Sequence, residues 1–600
     1  MVELYIDDQI VEFDNSSTIK ITKENPRFGA RGSFSLDVNV PMNVEGNRAV
    51  LGNINRQDVK KQRVTRTARL IADNVVLLKG KAVVNNVTQD SVRLQLIGGN
   101  GEIGLLEEYE QTYIDEVVLP NVVKIDRDSG DSSIQINNAD RYMLGHVGQY
   151  VFSPVWDETH ERLMNETFSN VNLTSGVTRM FWTNQSKLAI QPNLVYVMEL
   201  LLNHFGFALR NNEIEEFARH IYVANARGTK RIERMLPHWT LSEFVKEFQN
   251  FFNCTVVIDE TTSEFDIVRN SDYSENIVNL TPVEEYESSI EESNGDKNVE
   301  YSNIVYSVSK SDFHKWDCID ENIRKSYKTV TYDTLNEIIA AEVKSKKCFH
   351  HALADGMYIF TAADDNLPTQ IDQFRPLLRT NDEEDKVKLK IVPVAQTTKQ
   401  STHVNIIRNG EVEVGDPITI WVSSLESPIE DVDGEHLRRL DLNDDDDYDD
   451  GDEGDVKTVE EAVNGDTTTE ASKEDLLQVM FVDENAHYID YEVDGDTVQM
   501  KVPLAYTDKA IVYAYEHAAS SWSLSLNRCN ANHYIGELFD MNYAINRNAE
   551  VVFSFLASRI PAIRSLFVIN NKRYICKKME VNVDSRGIDK MIKGTFVELS

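Results

Sequence analysis

The sequence predicts a mainly β, multidomain α+β protein in which antiparallel sheets carry small helix-plus-hairpin modules and are joined by long loops. Three observations point there. Apolar and polar residues alternate with period two in several blocks between residues 33 and 96, the pattern of half-buried strands. The clearest helical spacing is confined to Leu194–Phe205 and a stretch opening at Leu241. A chain of 600 residues is also too long for one core, so about three to five domains are expected.

At the start, Leu4 to Val11 reads as a short strand pair. From residue 33, Phe34, Leu36, Val38 and Val40 fall on one face and Ser33, Ser35, Asp37 and Asn39 on the other. Pro41 then ends the ladder by removing a donor, which places this strand at an edge or terminus of its sheet. Arg66 to Ile71, a turn at Asp73-Asn74, Val75 to Val84, and Val92, Leu94 and Leu96 continue the strands up to Gly98-Gly99. Residues 1–100 are therefore an all-β domain. Residues 101–190 are weakly periodic and rich in Asn, Asp and Ser, as in Asp126 to Ser133, and read as a loop-rich arm or insertion. The 191–275 segment is a helix-plus-hairpin module. Leu194 to Phe205 is its first helix, with Gly206 where a C-terminal cap belongs. In Trp239-Thr240-Leu241-Ser242-Glu243-Phe244, Thr240 and Glu243 are spaced to cap each other's backbone donors, with Trp239 stapled on Phe244. The helix that begins at Leu241 carries Phe244, Val245, Phe248, Phe251 and Phe252 on one face and leads into Thr255 to Ile258, a turn at Thr261 to Ser263, and Phe265 to Val268.

Residues 276–380 repeat that order as a second α/β module: a capping box at Thr334 to Glu337 with Ile338 at the staple position, His350 to Ala354, an Asp355-Gly356 turn, and Met357 to Phe360. The repetition hints at an internal duplication. A β domain follows over 381–520, with Val387, Leu389 and Ile391 alternating against Lys386, Lys388 and Lys390 until Pro393 closes the run. Hairpin turns are signalled at Asn409-Gly410 and Asp494-Gly495. An insert over 431–472 interrupts this domain. Its centre, Asp441 to Asp455, has ten acidic residues of fifteen and no basic one, so it cannot collapse on itself. A C-terminal β segment over 521–600 includes a hairpin between Leu566 and Lys578.

Sixty-one Lys and Arg stand against 99 Asp and Glu, a formal charge of −38 that argues against a free-standing nucleic-acid binder, since phosphate contacts need clustered cations. The first residues form neither a basic nor an apolar leader, and no apolar run approaches the length of a membrane span, so neither secretion nor a span is expected. Cys254, Cys318, Cys348, Cys529 and Cys576 are scattered singly, which suits reduced packing residues. No catalytic motif survives inspection, and the chain is read as a non-enzyme with no cofactor. His160-Glu161 lacks the second histidine of a zinc-binding helix. Cys348 with His350 or His351, and Cys529 with His533, each offer two metal ligands without a matching pair. The acidic centre fails as a calcium loop, because a register with Gly451 sixth puts Tyr448 third and Lys457 twelfth, and one with Gly454 sixth puts Gly451 third. Two electrostatic candidates remain. Asp444, Asp445, Asp446, Asp447, Asp449, Asp450, Asp452, Glu453 and Asp455 suit a role in assembly or in lining a lumen. Arg56, Lys60, Lys61, Arg63, Arg66 and Arg69, with Asp58 the only acid among them, form a candidate docking patch for an acidic neighbour.

The strand pair at Leu4 to Val11, the alternating strand from Ser33, Pro41, Asn47-Arg48 and Leu51-Gly52 together resemble the N-terminal domain of tail proteins from phages and prophages of gut Bacteroidota, including crAss-like phages. The resemblance covers roughly the first hundred residues best, and more weakly residues 237–268 and the last thirty. It implies a structural tail hub or barrel protein that forms a ring, either of identical copies as a hexamer or dodecamer, or as part of a ring with other tail proteins. It further implies contact with other tail proteins, transient passage of DNA without specific binding, and a place in the virion tail after assembly in the host cytoplasm. The alternatives are a distal muzzle protein or a receptor-binding adhesin; the latter usually carries fibrous repeats, which are absent from this sequence.

Overall fold

A computed structural model of the chain describes residues 2–13, 18–28, 32–35, 38–59, 65–101, 111–120, 148–173, 177–182, 187–228, 231–259, 262–270, 276–283, 287–288, 298–301, 328–332, 349–353, 358–361, 370–373, 386–426, 476–482, 487–502, 505–507, 522–524, 526, 533–539 and 545–599. The fold is mainly β, with several antiparallel sheets and few helices, as the periodicity predicts.

The largest sheet begins with β1 (Val2–Ile6), β2 (Gln9–Val11), β3 (Ile19–Glu24), β4 (Ser33–Ser35), β5 (Val38–Pro41), β6 (Thr65–Ala72), β7 (Val75–Val87) and β8 (Ser91–Gly98). Their order is β2-β1-β6-β7-β8-β4-β3, and β3 then pairs antiparallel with Lys572–Asp584, placing Ile21 opposite Val581. Beyond that strand lie Gly587–Leu599, Ile545–Leu556 and the short Glu287–Ser288. The two ends of the chain thus share one sheet. The expected two-residue turns form where Asn, Asp and Gly tolerate positive φ: Asp73-Asn74 (51° and 63°), Asn409-Gly410 (50° and 89°) and Asp494-Gly495 (51° and 90°).

The 33–41 stretch differs from its expected form. It splits into β4 and β5, and the register against β8 slips by one residue, with Phe34 opposite Ile97 but Val38 opposite Leu94. A one-residue slip exchanges the two faces. Ser33 and Ser35 therefore point inward with Val38 and Val40, while Phe34 is half-buried against the central core. The inward Ser35 is satisfied, because its Oγ accepts from the Leu96 amide at 2.9 Å. Nor is the stretch wholly at an edge, since β4 lies between β8 and β3.

Leu194–His204 is a helix with Asn193 as its cap, Oδ1 accepting from the Val195 and Tyr196 amides, and it stops before Gly206 at φ 87°. Leu241–Phe252 begins where predicted. Thr240 accepts from the Glu243 amide at 3.1 Å, but the Glu243 carboxylate turns away from the cap to Lys390 Nζ at 2.7 Å. Only half of the capping box forms. The helix buries Phe244, Phe248, Phe251 and Phe252 and ends at Asn253 with φ 43°. It packs on the hairpin Cys254–Asp259 and Glu264–Arg269, with Ala208–Asn212 added in parallel beyond the second strand. In the 276–380 region, by contrast, the parallel strand Lys328–Tyr332 joins the first hairpin strand, Phe349–Leu353. The two modules are wired differently. The register there, Ala352 opposite Tyr358, is one residue off that of a two-residue Asp355-Gly356 turn; that turn and the Thr334 capping box lie outside the described residues.

Two further segments depart from expectation. Between Tyr150 and Phe181, in the stretch read as loop-rich, strands at Val155–Asp157, Arg162–Met164, Thr167–Asn172 and Val177–Phe181 join Ala395–Arg408, Glu411–Val414 and Ile418–Leu425 in a seven-stranded sheet. Their inward face includes Thr167 and Ser169, so polarity hides the period; Thr167 Oγ1 meets Thr402 Oγ1 at 2.8 Å in the interior. Pro393 does not close the lysine run. Lys386–Leu389 and Ile391–Pro393 pair with different strands, and Ala395–Arg408 follows at once.

Replacing Trp239, 2% exposed in the central core, by Ala is expected to cost about 3 to 5 kcal/mol, and Thr240→Ala about 1 kcal/mol. Hydrogen exchange of the Leu241–Phe252 amides and thermal melting check both; a melting point unchanged in the double variant counts against this helix start. Glu247 supplies a second prediction. Burial pushes its carboxyl up, opposed by Lys246 and the Lys390 backbone, and Oε2 has no hydrogen-bond partner. The folded chain therefore holds this proton more tightly than the unfolded chain, and the stability it gives at acid pH is lost as pH rises through the carboxylate range. Glu247→Gln is expected to raise the melting temperature at pH 7 and leave it unchanged near pH 4.

Candidate assembly site

The structure places the sequence-derived site residues unequally. Asp444, Asp445, Asp446, Asp447, Asp449, Asp450, Asp452, Glu453 and Asp455 lie outside the described residues, as do Lys60, Lys61 and Arg63. The remaining three cations of the patch are each matched by an acid. Arg56 holds Asp58 through two bonds of 2.9 and 2.6 Å, Arg66 reaches Asp7 at 2.7 Å, and Arg69 lies 4.0 Å from Asp8 while covering the Tyr5 ring. The β1–β2 turn supplies two of these acids, which no local count of charge around residues 56–69 reveals. Desolvation raises the Asp7 carboxyl, but its bonds from Arg66 and Thr67 outweigh that and hold it below the usual range.

His160 pairs with Asp157, whose fully buried carboxylate takes His160 Nδ1 at 2.8 Å and Arg162 Nε at 3.1 Å. His533 stacks on Trp522 and lies 3.7 Å from Glu537. Among the described residues, no group of three or more His, Cys, Asp or Glu is arranged to hold a metal. Cys254 and Cys576 are buried free thiols, the latter pushed up by burial; Cys318, Cys348 and Cys529 lie outside the described residues. No helix among the described residues is long and apolar enough to cross a membrane.

A site that the sequence reading missed lies at the seam of the large sheet. There the sheet curls until the β6–β7 turn reaches the final hairpin, where Asp73 accepts from the Ile588 amide at 2.9 Å, a bond that holds its carboxyl below the usual range. Gly587, at φ 126°, permits this approach, since a Cβ there would sit 2.4 Å from the Asp73 carboxylate. Beside this contact opens a cavity of about 810 Å³ walled by β3, the β6–β7 turn, Val257 and Ile258 of the helix-plus-hairpin module, the 557–564 connection and the last strand. Asn100, just beyond β8, ties the large sheet to the hairpin wall: its Nδ2 donates to the Val256 carbonyl at 2.5 Å and its Oδ1 accepts from the Ile258 amide at 3.0 Å.

The cavity reverses the charge balance of the chain. Lys23, Arg559, Arg564 and Lys590 line it against Glu24 and Asp73 alone. Burial holds the Arg564 guanidinium below its usual range, while Glu213 and Asp266 push it back up. The one local signal for this site was the pair of arginines flanking Ile560-Pro561-Ala562-Ile563; Lys23 and Lys590 are joined to it only by the fold.

Because Arg56, Arg66 and Arg69 are already paired, and exposed ion pairs contribute about 0.2 to 1 kcal/mol, Arg66→Gln is expected to lower stability by less than about 1 kcal/mol and to leave self-association unchanged. Sedimentation and thermal melting of the variant check this.

No protein-family model matches the chain, and no curated protein matches it. Among solved structures, the chain is similar to the 43 kDa tail protein of prophage MuSo2 from Shewanella oneidensis, at 8% identity and a TM-score of 0.30, covering 100% of this chain and 96% of that one. It is also similar to the tail protein from Neisseria meningitidis MC58, at 6% identity and a TM-score of 0.27, covering 100% and 95%. Likeness at these TM-scores does not establish a shared fold.

Proposed function

We propose that this chain is a structural component of a phage tail, a hub or barrel protein that forms a ring with copies of itself and contacts other tail proteins, with DNA passing through unbound. The observation that carries the reading is a coincidence of sequence and space. The three stretches that resemble tail proteins of Bacteroidota phages are the first hundred residues, residues 237–268 and the last thirty, far apart in the chain. They are contiguous in the fold: β3 pairs with Lys572–Asp584, and Asn100 bridges to Val256 and Ile258. A resemblance scattered by chance has no reason to collect in one unit.

Charge fits the same role. A formal charge of −38 keeps a protein around a DNA path from binding the phosphates that move past it. In this reading the chain performs no catalysis and needs no cofactor, and the acidic stretch Asp441 to Asp455 acts electrostatically in assembly. A muzzle protein would share the ring, so the position along the tail follows from locating the chain in the virion.

The purified chain is expected to form closed rings of six or twelve copies, each interface burying on the order of 2,000 Å² or more. Native mass spectrometry and electron microscopy read this directly. A monodisperse monomer at high concentration, with no ring in the virion, contradicts the proposal.

A further inference from the structure

We propose that the seam cavity is the receptor for the acidic stretch Asp441 to Asp455 of a second copy of this chain. This inference rests on the ring reading and supplies its contact. The cavity offers both kinds of surface that such a segment needs. Lys23, Arg559 and Lys590 line it and make no ion pair among the described residues, and Arg564 adds a fourth cation deeper in. Val75 and Val76, 48% and 40% exposed, present apolar area to the same opening.

The stretch from Leu440 to Val456 is the complement. Its ten acids are punctuated by Leu440, Leu442 and Tyr448, so it has carboxylates for the cations and apolar side chains for the valines. In a chain carrying 99 acids and 61 cations, this cavity sets Lys23, Arg559 and Lys590 against Glu24 and Asp73, with Arg564 deeper in held by Glu213 and Asp266, and the longest acidic concentration is the natural partner for the first three. The described arginines of the Arg56 to Arg69 patch, by contrast, each already face an acid, Asp58, Asp7 or Asp8.

Reach permits a contact between copies, and symmetry favours it. Fourteen residues separate Glu426 from Asp441 and span up to about 50 Å when extended, about twice the ~25 Å radius of gyration of a compact chain of this length. A segment of one copy entering a cavity of the next is a heterologous contact, and repetition of such a contact generates a ring wherever the rotation closes.

The test uses two full-length variants. One is acid-neutral, with Asp444 to Asp447, Asp449, Asp450, Asp452 and Asp455 changed to Asn and Glu453 to Gln. The other is cavity-reversed, with Arg559→Glu and Lys590→Glu, both exposed positions whose replacement leaves the core intact. A fluorescent peptide of residues 440–456 is expected to bind the acid-neutral chain at 50 mM salt, at least tenfold more weakly at 500 mM salt, and at least tenfold more weakly to the cavity-reversed chain. Neither variant alone is expected to self-associate, whereas their mixture pairs, because one supplies the segment and the other the cavity. Equal peptide binding by both variants, no binding at all, or a mixture that stays monomeric overturns the proposal. Open chains of the wild type in place of closed rings sink the ring and leave this contact standing; closed rings formed by either variant alone do the reverse.

Discussion

The pairing of Ile19–Glu24 with Lys572–Asp584 is the constraint on which the rest of the molecule depends. Six backbone partners from Ile19 opposite Val583 to Glu24 opposite Lys578 weld an eight-stranded N-terminal half-sheet to the C-terminal strands. Asn25 extends the weld, with its amide donating to the Lys577 carbonyl and its buried side chain to the Cys576 carbonyl at 2.9 Å. Without it the sheet is two open edges, each a row of unpaired amides and carbonyls. With it, the final hairpin is carried round to meet the β6–β7 turn, and the seam cavity exists.

That weld has a kinetic side. The partners are separated by more than 550 residues, so the contact closes only after nearly the whole chain is available, and the loop-closure entropy must be met before the ladder forms. The central core is equally non-local. Leu194–His204 and the phenylalanine face of Leu241–Phe252 are buried together with Ile97, Val299, Leu389, Phe481 and Leu538, side chains drawn from the length of the chain. Such a fold has few parts that are stable alone.

Charge is organised by the same topology. Arg210 gathers Asp259, Glu264 and Asp266 from the neighbouring hairpin, and Lys390 gathers Glu243 across the helix start, so many cations are spent on acids within the fold. Lys23, Arg559 and Lys590, which line the seam, make no ion pair among the described residues. An acidic chain that keeps a cationic recess has a surface able to recognise its own acidic stretch while repelling phosphate elsewhere.

Local physics was legible in the sequence. The helix starts at Leu194 and Leu241, the Asn-Gly and Asp-Gly turns and the mainly β class follow from caps, positive-φ residues and period, all of which act within a few residues. What failed to show was every feature set by a distant partner. The faces of Ser33 and Ser35 were decided by a one-residue slip against β8, the second half of the capping box by Lys390, and the strands around Thr167 by Thr402. The partners of Arg66 and Arg69 were hidden for the same reason, since Asp7 and Asp8 arrive from the distant β1–β2 turn. The cavity lay furthest from view: Lys23 and Lys590 are neighbours only because β3 pairs with the end of the chain, and strand pairing depends on registers and partners that no local pattern encodes.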